Sequence, residues 1–398
     1  MRSGRLAVLM AAIITIGILF GGISYAWHAI TAHREEAETA SVEAEETEDE
    51  SDFYDMEEEE PKEEILDPEV ASFAPGFTFE RTGRSTEMPE LLPDGSGSSV
   101  VSKNAVLVDL DTNEIVTERE ADTLVVPASM TKVLTLLVAV EHIDDLDAEY
   151  KMTKEIADYS YQHDCSVVGF MPGEKMTMRD LLYGAILPSG ADAVLLLCDA
   201  VAGGQDAFVE MMNEKVDELG LSGVAHFTNA IGLYDDDLHC TVADMAGIMK
   251  AALMNDVCRE VLAARVYTTT KTKKHPDGIT ISNWFLRRIE DQSLPGEVLG
   301  AKTGFVDQSG FCAVSYLKTA DGHHYVCVTT NSISSWRCIH DHEDIYNQYV
   351  VAPGGVAAGG EATGGEAESE PEAEPAAEAP DGVEDVDFGD VEIEDPQR

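Results

Sequence analysis

Residues 105–132 read AVLVDLDTNEIVTEREADTLVVPASMTK, and the architecture follows from them. Ala105–Leu110 and Glu114–Arg119 have the composition of strands, and Asp111-Thr112-Asn113 between them is turn chemistry, so the stretch predicts a hairpin. Pro127-Ala128 then introduces a strongly apolar helix from about Ser129 to His142. Further along, Glu174 to Ala202 reads as two helices broken by Pro188-Ser189-Gly190. Gln205–Leu219 is amphipathic, with Phe208, Met211, Met212, Val216 and Leu219 at helical spacing. Asp244–Met254 continues the helical middle. Strand patterns return at Val298–Ala301, Gly310–Leu317 and His324–Thr329, and Asp341–Val350 closes as a short helix. Strands, then helices, then strands imply one sheet whose edges come from both chain ends, with a helical block packed beside it. The expected fold class is α+β, in a single domain of about 250 residues. No internal repeat is present.

The 398-residue chain is 44% hydrophobic, enough for such a core, yet its formal net charge is −50. That charge is unevenly spread. Residues 35–69 hold 19 acids against Lys62, and residues 354–398 hold 15 acids against Arg398, so these two segments account for 32 of the 50 net negative charges. Like-charged stretches with few apolar residues cannot offset chain-ordering entropy, and both are expected to be disordered. An acidic chain also repels nucleic acid and anionic lipid heads, which argues against both as partners.

At the N-terminus, Arg2 and Arg5 precede an uncharged, mostly apolar run from Leu6 to Trp27, long enough to cross a bilayer. A cleaved signal has a shorter apolar centre, so an uncleaved anchor is expected, with Ser24-Tyr25-Ala26 as the alternative cleavage site. Basic residues before the run put residues 1–5 inside and the remainder outside. The expected layout is therefore an anchor at 6–27, an acidic linker at 28–98, a folded domain at 99–352 and a low-complexity tail at 353–398. Seven cysteines (Cys165, Cys198, Cys240, Cys258, Cys312, Cys327, Cys338) include no CxxC pair, which rules out a zinc-ribbon or thioredoxin-like reading. Cys198 reads as a buried small hydrophobe, and Cys312 with Cys327 is the pair that neighbouring strands would permit.

Three short elements carry chemistry. In Ser129-Met130-Thr131-Lys132, residues three apart share a helix face, so the lysine amine reaches the serine hydroxyl. A serine needs an adjacent base to become a nucleophile, and a lysine with a depressed pKa can serve. A helix start also offers unpaired N–H groups and a positive dipole end to an oxyanion. Alone, the pair would recur about once by chance in a chain this long and would equally describe a serine cap with a surface lysine. Lys302-Thr303-Gly304, at the end of a strand, presents a cation, a hydroxyl and an open backbone to an extended peptide and its carboxylate. Pro188-Ser189-Gly190 is a turn able to lift Ser189 into a cleft. The three together, in this order, are a far stronger signal than any one.

At this point a resemblance becomes specific. Residues 105–132, the segment Asp180-Leu-Leu-Tyr-Gly-Ala-Ile-Leu-Pro-Ser-Gly-Ala-Asp-Ala193 and the segment Ala301-Lys-Thr-Gly-Phe-Val-Asp-Gln-Ser-Gly-Phe-Cys312 resemble serine-type D-alanyl-D-alanine carboxypeptidases, the low-molecular-mass penicillin-binding proteins (peptidase family S11). The likeness covers about residues 100–350. It implies a β-lactamase/transpeptidase-like fold with an antiparallel sheet and a helical lobe. It also implies a Ser129 acyl-enzyme with Lys132 as base, Ser189 as proton relay, Lys302, Thr303 and Gly304 at the substrate carboxylate, and the N–H groups of Ser129 and Phe305 as oxyanion hole. Peptidoglycan stem peptides would be the substrate, β-lactam antibiotics the inhibitors, and no cofactor or metal is required. Two departures stand out. The family's second motif usually ends in Asn, where this chain has Ala191, so the missing amide contact would fall to another group such as Asp192 or Asn229. The acidic tail stands where relatives commonly carry a further β domain and an amphipathic anchor.

Competing readings are a D,D-endopeptidase with the same residues, a class A β-lactamase and a wall-binding protein with a decayed site. The β-lactamase lacks support because no Glu-x-x-Leu-Asn segment is present. His323-His324 and His340-Asp341-His342-Glu343 have no recognised metal-ligand spacing. The acidic runs contain no EF-hand pattern. Arg337 reads as a surface arginine, and Asn229 and Asp244 as non-catalytic members of the helical lobe.

Overall fold

The computed structural model describes residues 73–350 except 93–96 and 222. The apolar run Leu6–Trp27, the acidic segment 35–69 and the tail 353–398 lie outside the described residues. Among the described residues, no helix is long and apolar enough to cross a membrane.

A six-stranded sheet runs in the order β1 (Thr86–Glu87), β3 (Glu114–Arg119), β2 (Asn104–Asp109), β10 (His324–Ser332), β9 (Gly310–Thr319), β8 (Gly296–Val306). All its pairings are antiparallel except β1 with β3. The expected hairpin is β2–β3, and the two edges do come from the two ends of the folded chain. Two ribbons stand apart from the sheet: β4 (Glu149–Lys151) with β5 (Lys175–Thr177), and β6 (Val266–Thr268) with β7 (Thr280–Ser282).

The helices sort onto two faces because strand side chains alternate. Val106 and Val108 point into the larger core, beneath α1 (Thr131–Glu141), α2 (Lys154–Gln162), α3 (Met178–Ile186), α4 (Ala191–Ala202), α5 (Gln205–Glu218), α6 (Val242–Leu253) and α7 (Asp256–Ala263). Ala105 and Leu107 point the other way, beneath α8 (Leu286–Ile289) and α9 (Ser335–Tyr349). The helix α1 is apolar nearly all round and accordingly buried along its first nine residues. Thr177 and Thr241 close capping boxes with Asp180 and Asp244 at the starts of α3 and α6.

Three expectations need revision. First, residues 73–91 are not linker. Phe73 and Met88 are buried, β1 extends the sheet, and the buried Lys250 amine donates to the carbonyls of Ala74 and Gly76 and to Asn113 Oδ1. Second, the last helix begins six residues before Asp341. Its buried face carries Asp341 and His342, whose polarity hides the period; His342 lies between Ser315 and Thr329 Oγ1, and burial holds its pKa down at about 3. Third, Cys312 and Cys327 do not pair. Cys327 stands opposite Ser315, and the two thiols belong to different faces of the sheet, Cys312 in the larger core and Cys327 in the smaller. All seven cysteines are free thiols.

Asp341 ties α9 to the strand entry. Its carboxylate accepts from Val101 N and Ser102 N, both at 2.9 Å, from the hydroxyls of Ser102 and Ser332, and from Arg337 Nε at 3.0 Å. Asp341→Ala leaves these donors unsatisfied, and breaking such a buried pair costs about 3–5 kcal/mol. Urea unfolding of the variant should show a clearly lower midpoint with an unchanged slope; an unchanged midpoint would refute the clamp.

Candidate active site

The chain enters the site through a strained residue. Ala128 has φ +45° and opens a single 3-10 turn, Ala128–Met130, ahead of α1. Ser129 therefore stands in that turn and not inside the helix as the sequence suggests. Its hydroxyl makes no helix-capping bond. Instead Lys132 Nζ lies 2.9 Å from Ser129 Oγ and donates to Ile231 O at 2.6 Å. Lys132 is 2% exposed, so it is no surface lysine, and burial lowers its pKa to about 7.

Ser189 sits in the turn between α3 and α4 with φ +64°, a conformation that costs a non-glycine residue energy and is retained where surrounding structure enforces it. Lys302 Nζ stands 2.9 Å from Ser189 Oγ and donates to Thr303 O at 2.7 Å. Burial, and the nearby Lys132 amine, hold the Lys302 pKa well below the ordinary lysine value. The Lys302-Thr303-Gly304 triplet lies within β8, which continues to Val306 as the sheet's outer strand. Gly304 is where β8 meets the 3-10 turn: a Cβ there would fall 2.8 Å from Ser129 N. Ser129 and Phe305 thus border one cleft of about 860 Å³, together with Ser189, Ala191 and Thr303. Of the seven residues expected at the site, Ser129, Lys132, Ser189, Thr303, Gly304 and Phe305 line it, and the buried Lys302 lies behind that lining with its amine against Ser189 Oγ.

The back of the site was not legible. The segment Asn229–Leu233 supplies the carbonyls that receive Lys132 and, from Ala230, Thr135 Oγ1 at 2.7 Å. Asn229 folds it: Oδ1 accepts from Gly232 N at 2.7 Å and Leu233 N at 3.0 Å, while Nδ2 donates to Leu233 O. An Asn three residues before a Gly is the one signal that could have marked this turn. A Cβ on Gly232, which has φ +83°, would sit 1.9 Å from Ala128 O.

Neither group suggested to replace the missing amide at Ala191 is free to do so. Asn229 is committed to its turn, and Asp192, buried, accepts from the N–H groups of Val168, Gly169, Phe170 and Ala193. It thereby fixes the loop whose Cys165 and Ser166 also line the cleft. Arg337 is held by Asp341, Asp344 and Ser99 O. The histidines are dispersed: His323 lies near Asp111 and Asp321, His324 Nδ1 is 2.8 Å from Tyr316 Oη, and His340 faces Glu343.

Because Gly232 abuts the peptide before Ser129, Gly232→Ala must displace the Ala128–Ser129 backbone, and a shift of about 1 Å in a reacting group costs on the order of 100-fold in rate. Penicillin acylation of the folded variant, checked by circular dichroism, should fall by that order; acylation at the parent rate would show that Gly232 does not position Ser129.

Comparison with known proteins adds independent support. The D-alanyl-D-alanine carboxypeptidase DacF of Bacillus subtilis is 26% identical over 63% of this chain and 60% of its own length. A D-alanyl-D-alanine carboxypeptidase of Streptomyces sp. strain K15 is 30% identical over 49% of this chain and 69% of its own length. The chain spans about half of the Escherichia coli relative DacA, 52%, at 31% identity. Among solved structures, the Streptomyces K15 DD-transpeptidase superposes with a TM-score of 0.57 at 26% identity, covering 62% of this chain and 95% of that one. A Mycobacterium tuberculosis D-alanyl-D-alanine carboxypeptidase gives 0.55 at 26%, covering 64% and 94%. The fold is accordingly that of the DD-peptidases. A sequence model described as D-alanyl-D-alanine carboxypeptidase matches residues 92–332, more than half of the chain, and the chain belongs to that family.

Proposed function

We propose that this chain is a serine-type D,D-peptidase that removes the terminal D-alanine of peptidoglycan stem peptides through a Ser129 acyl-enzyme. The observation that carries the reading is the buried Lys132 amine, 2.9 Å from Ser129 Oγ, with its pKa lowered to about 7. A neutral amine at that place accepts the hydroxyl proton as Ser129 attacks the carbonyl between the two D-alanines. The N–H groups of Ser129 and Phe305 receive the developing oxyanion, each such donor contributing roughly 3–4 kcal/mol of barrier lowering. Collapse expels D-alanine, whose amine takes a proton from Lys132 relayed through Ser189. Water then hydrolyses the ester with Lys132 again as base.

Lys302 and Thr303 bind the terminal carboxylate. Lys302 has no acidic partner among the described residues, so a bound carboxylate favours its charged form and offsets the burial of both. A β-lactam acylates the same serine. The names of the relatives agree with this substrate class. The accompanying layout is a catalytic domain that starts at Phe73 and runs to about residue 352 outside the cell, tethered through the N-terminal segment 6–27, with residues 28–72 as linker and an acidic tail from 353.

Two experiments test the site. Ser129→Ala should abolish labelling by a fluorescent penicillin and lower release of D-alanine from a pentapeptide by about 10³-fold or more; persistent labelling would remove Ser129 as nucleophile. The pH profile of acylation follows from the sign of the Lys132 shift. Below about pH 7 the amine is protonated and has no lone pair, so the rate constant should drop about tenfold per pH unit and level off above pH 7. A flat profile from about pH 5 to 9 would mean that Lys132 is not the base.

A further inference from the structure

One wall of the cleft takes no part in the chemistry above. Asn283 Nδ2 donates to Ala301 O at 2.9 Å, and its Oδ1 accepts from the N–H groups of Phe285 and Leu286. This pins the start of α8 beside the residue that precedes Lys302, and the next residue, Trp284, lines the cleft. At the start of α9, Ser335 also lines the cleft, and Trp336 after it is 49% exposed. The two indoles meet edge to face with centroids 5.8 Å apart.

Arg288 lies on both rings, its guanidinium carbon 4.1 Å from the Trp284 centroid and 5.3 Å from that of Trp336. Among the described residues its guanidinium makes one long hydrogen bond, 3.4 Å to Trp284 O, and no carboxylate pairs with it. In a chain with 76 acidic and 26 basic residues, an arginine that is half-buried, seated over two tryptophan rings and left without an acid is an available anion receptor. Stacking fixes the plane of the guanidinium while leaving its N–H edge available, an arrangement suited to a planar carboxylate.

Trp284 is the member of this group that lines the cleft, and Arg288 and Trp336 lie against it. The terminal carboxylate is assigned to Lys302 and Thr303, and Trp284 adjoins that end of the triplet through Asn283. We propose that Trp284, Trp336 and Arg288 form a leaving-group subsite that selects D,D-peptides whose leaving residue carries a second carboxylate. The subsite rests on the D,D-peptidase reading. It extends the substrate class beyond a plain D-alanine terminus. The indoles cover the aliphatic part of such a group and Arg288 receives its acid.

The test uses the full chain and three peptides that differ only in the leaving residue: D-alanine, D-glutamate and D-glutamine. The isosteric pair isolates charge. A charge-assisted bond at a partly buried site should make kcat/KM for D-glutamate release about tenfold higher than for D-glutamine release. Arg288→Gln should bring that ratio close to one, and in the parent protein the ratio should shrink as salt is raised from about 0.05 to 0.5 M. A parent ratio near one, or a ratio that survives Arg288→Gln, overturns the subsite while penicillin labelling of Ser129 leaves the D,D-peptidase reading intact. Should the variant fail to fold, the parent ratio and its salt dependence still decide. If the parent neither reacts with penicillin nor hydrolyses any of the three, the D,D-peptidase reading fails and the subsite falls with it.

Discussion

Two lysine amines are taken out of water in the same cleft, and no acidic side chain among the described residues pairs with either. Lys132 and Lys302 are each 2% exposed. Burying an unpaired ammonium costs several kcal/mol, so both groups are biased toward the neutral form. Their nearest polar neighbours are two serine hydroxyls and two backbone carbonyls, Ile231 O and Thr303 O. Those neighbours solvate an amine without paying for its charge. The arrangement of α1, the α3–α4 turn, the 229–233 turn and β8 makes sense as the scaffold that keeps this pair dry and close to its serines.

That scaffold works by close approach of backbones. Gly304 and Gly232 contact the Ala128–Ser129 peptide from two sides, where any side chain would overlap it. Ala128 and Ser189 meanwhile hold left-handed conformations, at +45° and +64°, at the Ser129 and Ser189 hydroxyls. Each such residue costs of order 1–3 kcal/mol and persists only because its surroundings over-determine it. Here the surroundings are the two glycine contacts, the Asn229 turn and the large core beneath. The hydroxyls are thus aimed before any substrate arrives.

How much of this a single sequence reveals depends on whether the signal is local. The β2–β3 hairpin, the apolar α1 and the three short elements announce themselves because the residues that do the work are also the ones that carry the pattern. Residues 73–91 resemble linker because what orders them is distant: the amine of Lys250 on α6 and the edge of β3. The polar buried face of α9 breaks the apolar period that would otherwise have shown its full length. Asp192 looks like a candidate substrate ligand until the four N–H groups that occupy it are seen. Cys312 and Cys327 sit on adjacent strands, yet whether two thiols share a face depends on register, which the sequence does not state.

The pairing of β2 with β10 has a consequence for how the molecule comes into being. These strands lie side by side at the centre of the sheet, joined residue by residue from Tyr325–Asp109 to Thr330–Asn104, though more than two hundred residues separate them along the chain. Closing so long a loop is slow, and its entropic cost falls before the contacts that repay it can form. Ser129 emerges early from the ribosome, but β8, which presents Lys302, is held against β10 only through β9. A chain still being synthesised therefore carries Ser129 without the strand that completes the cleft. The cleft closes with the last strand, as a property of the finished topology and not of any segment within it.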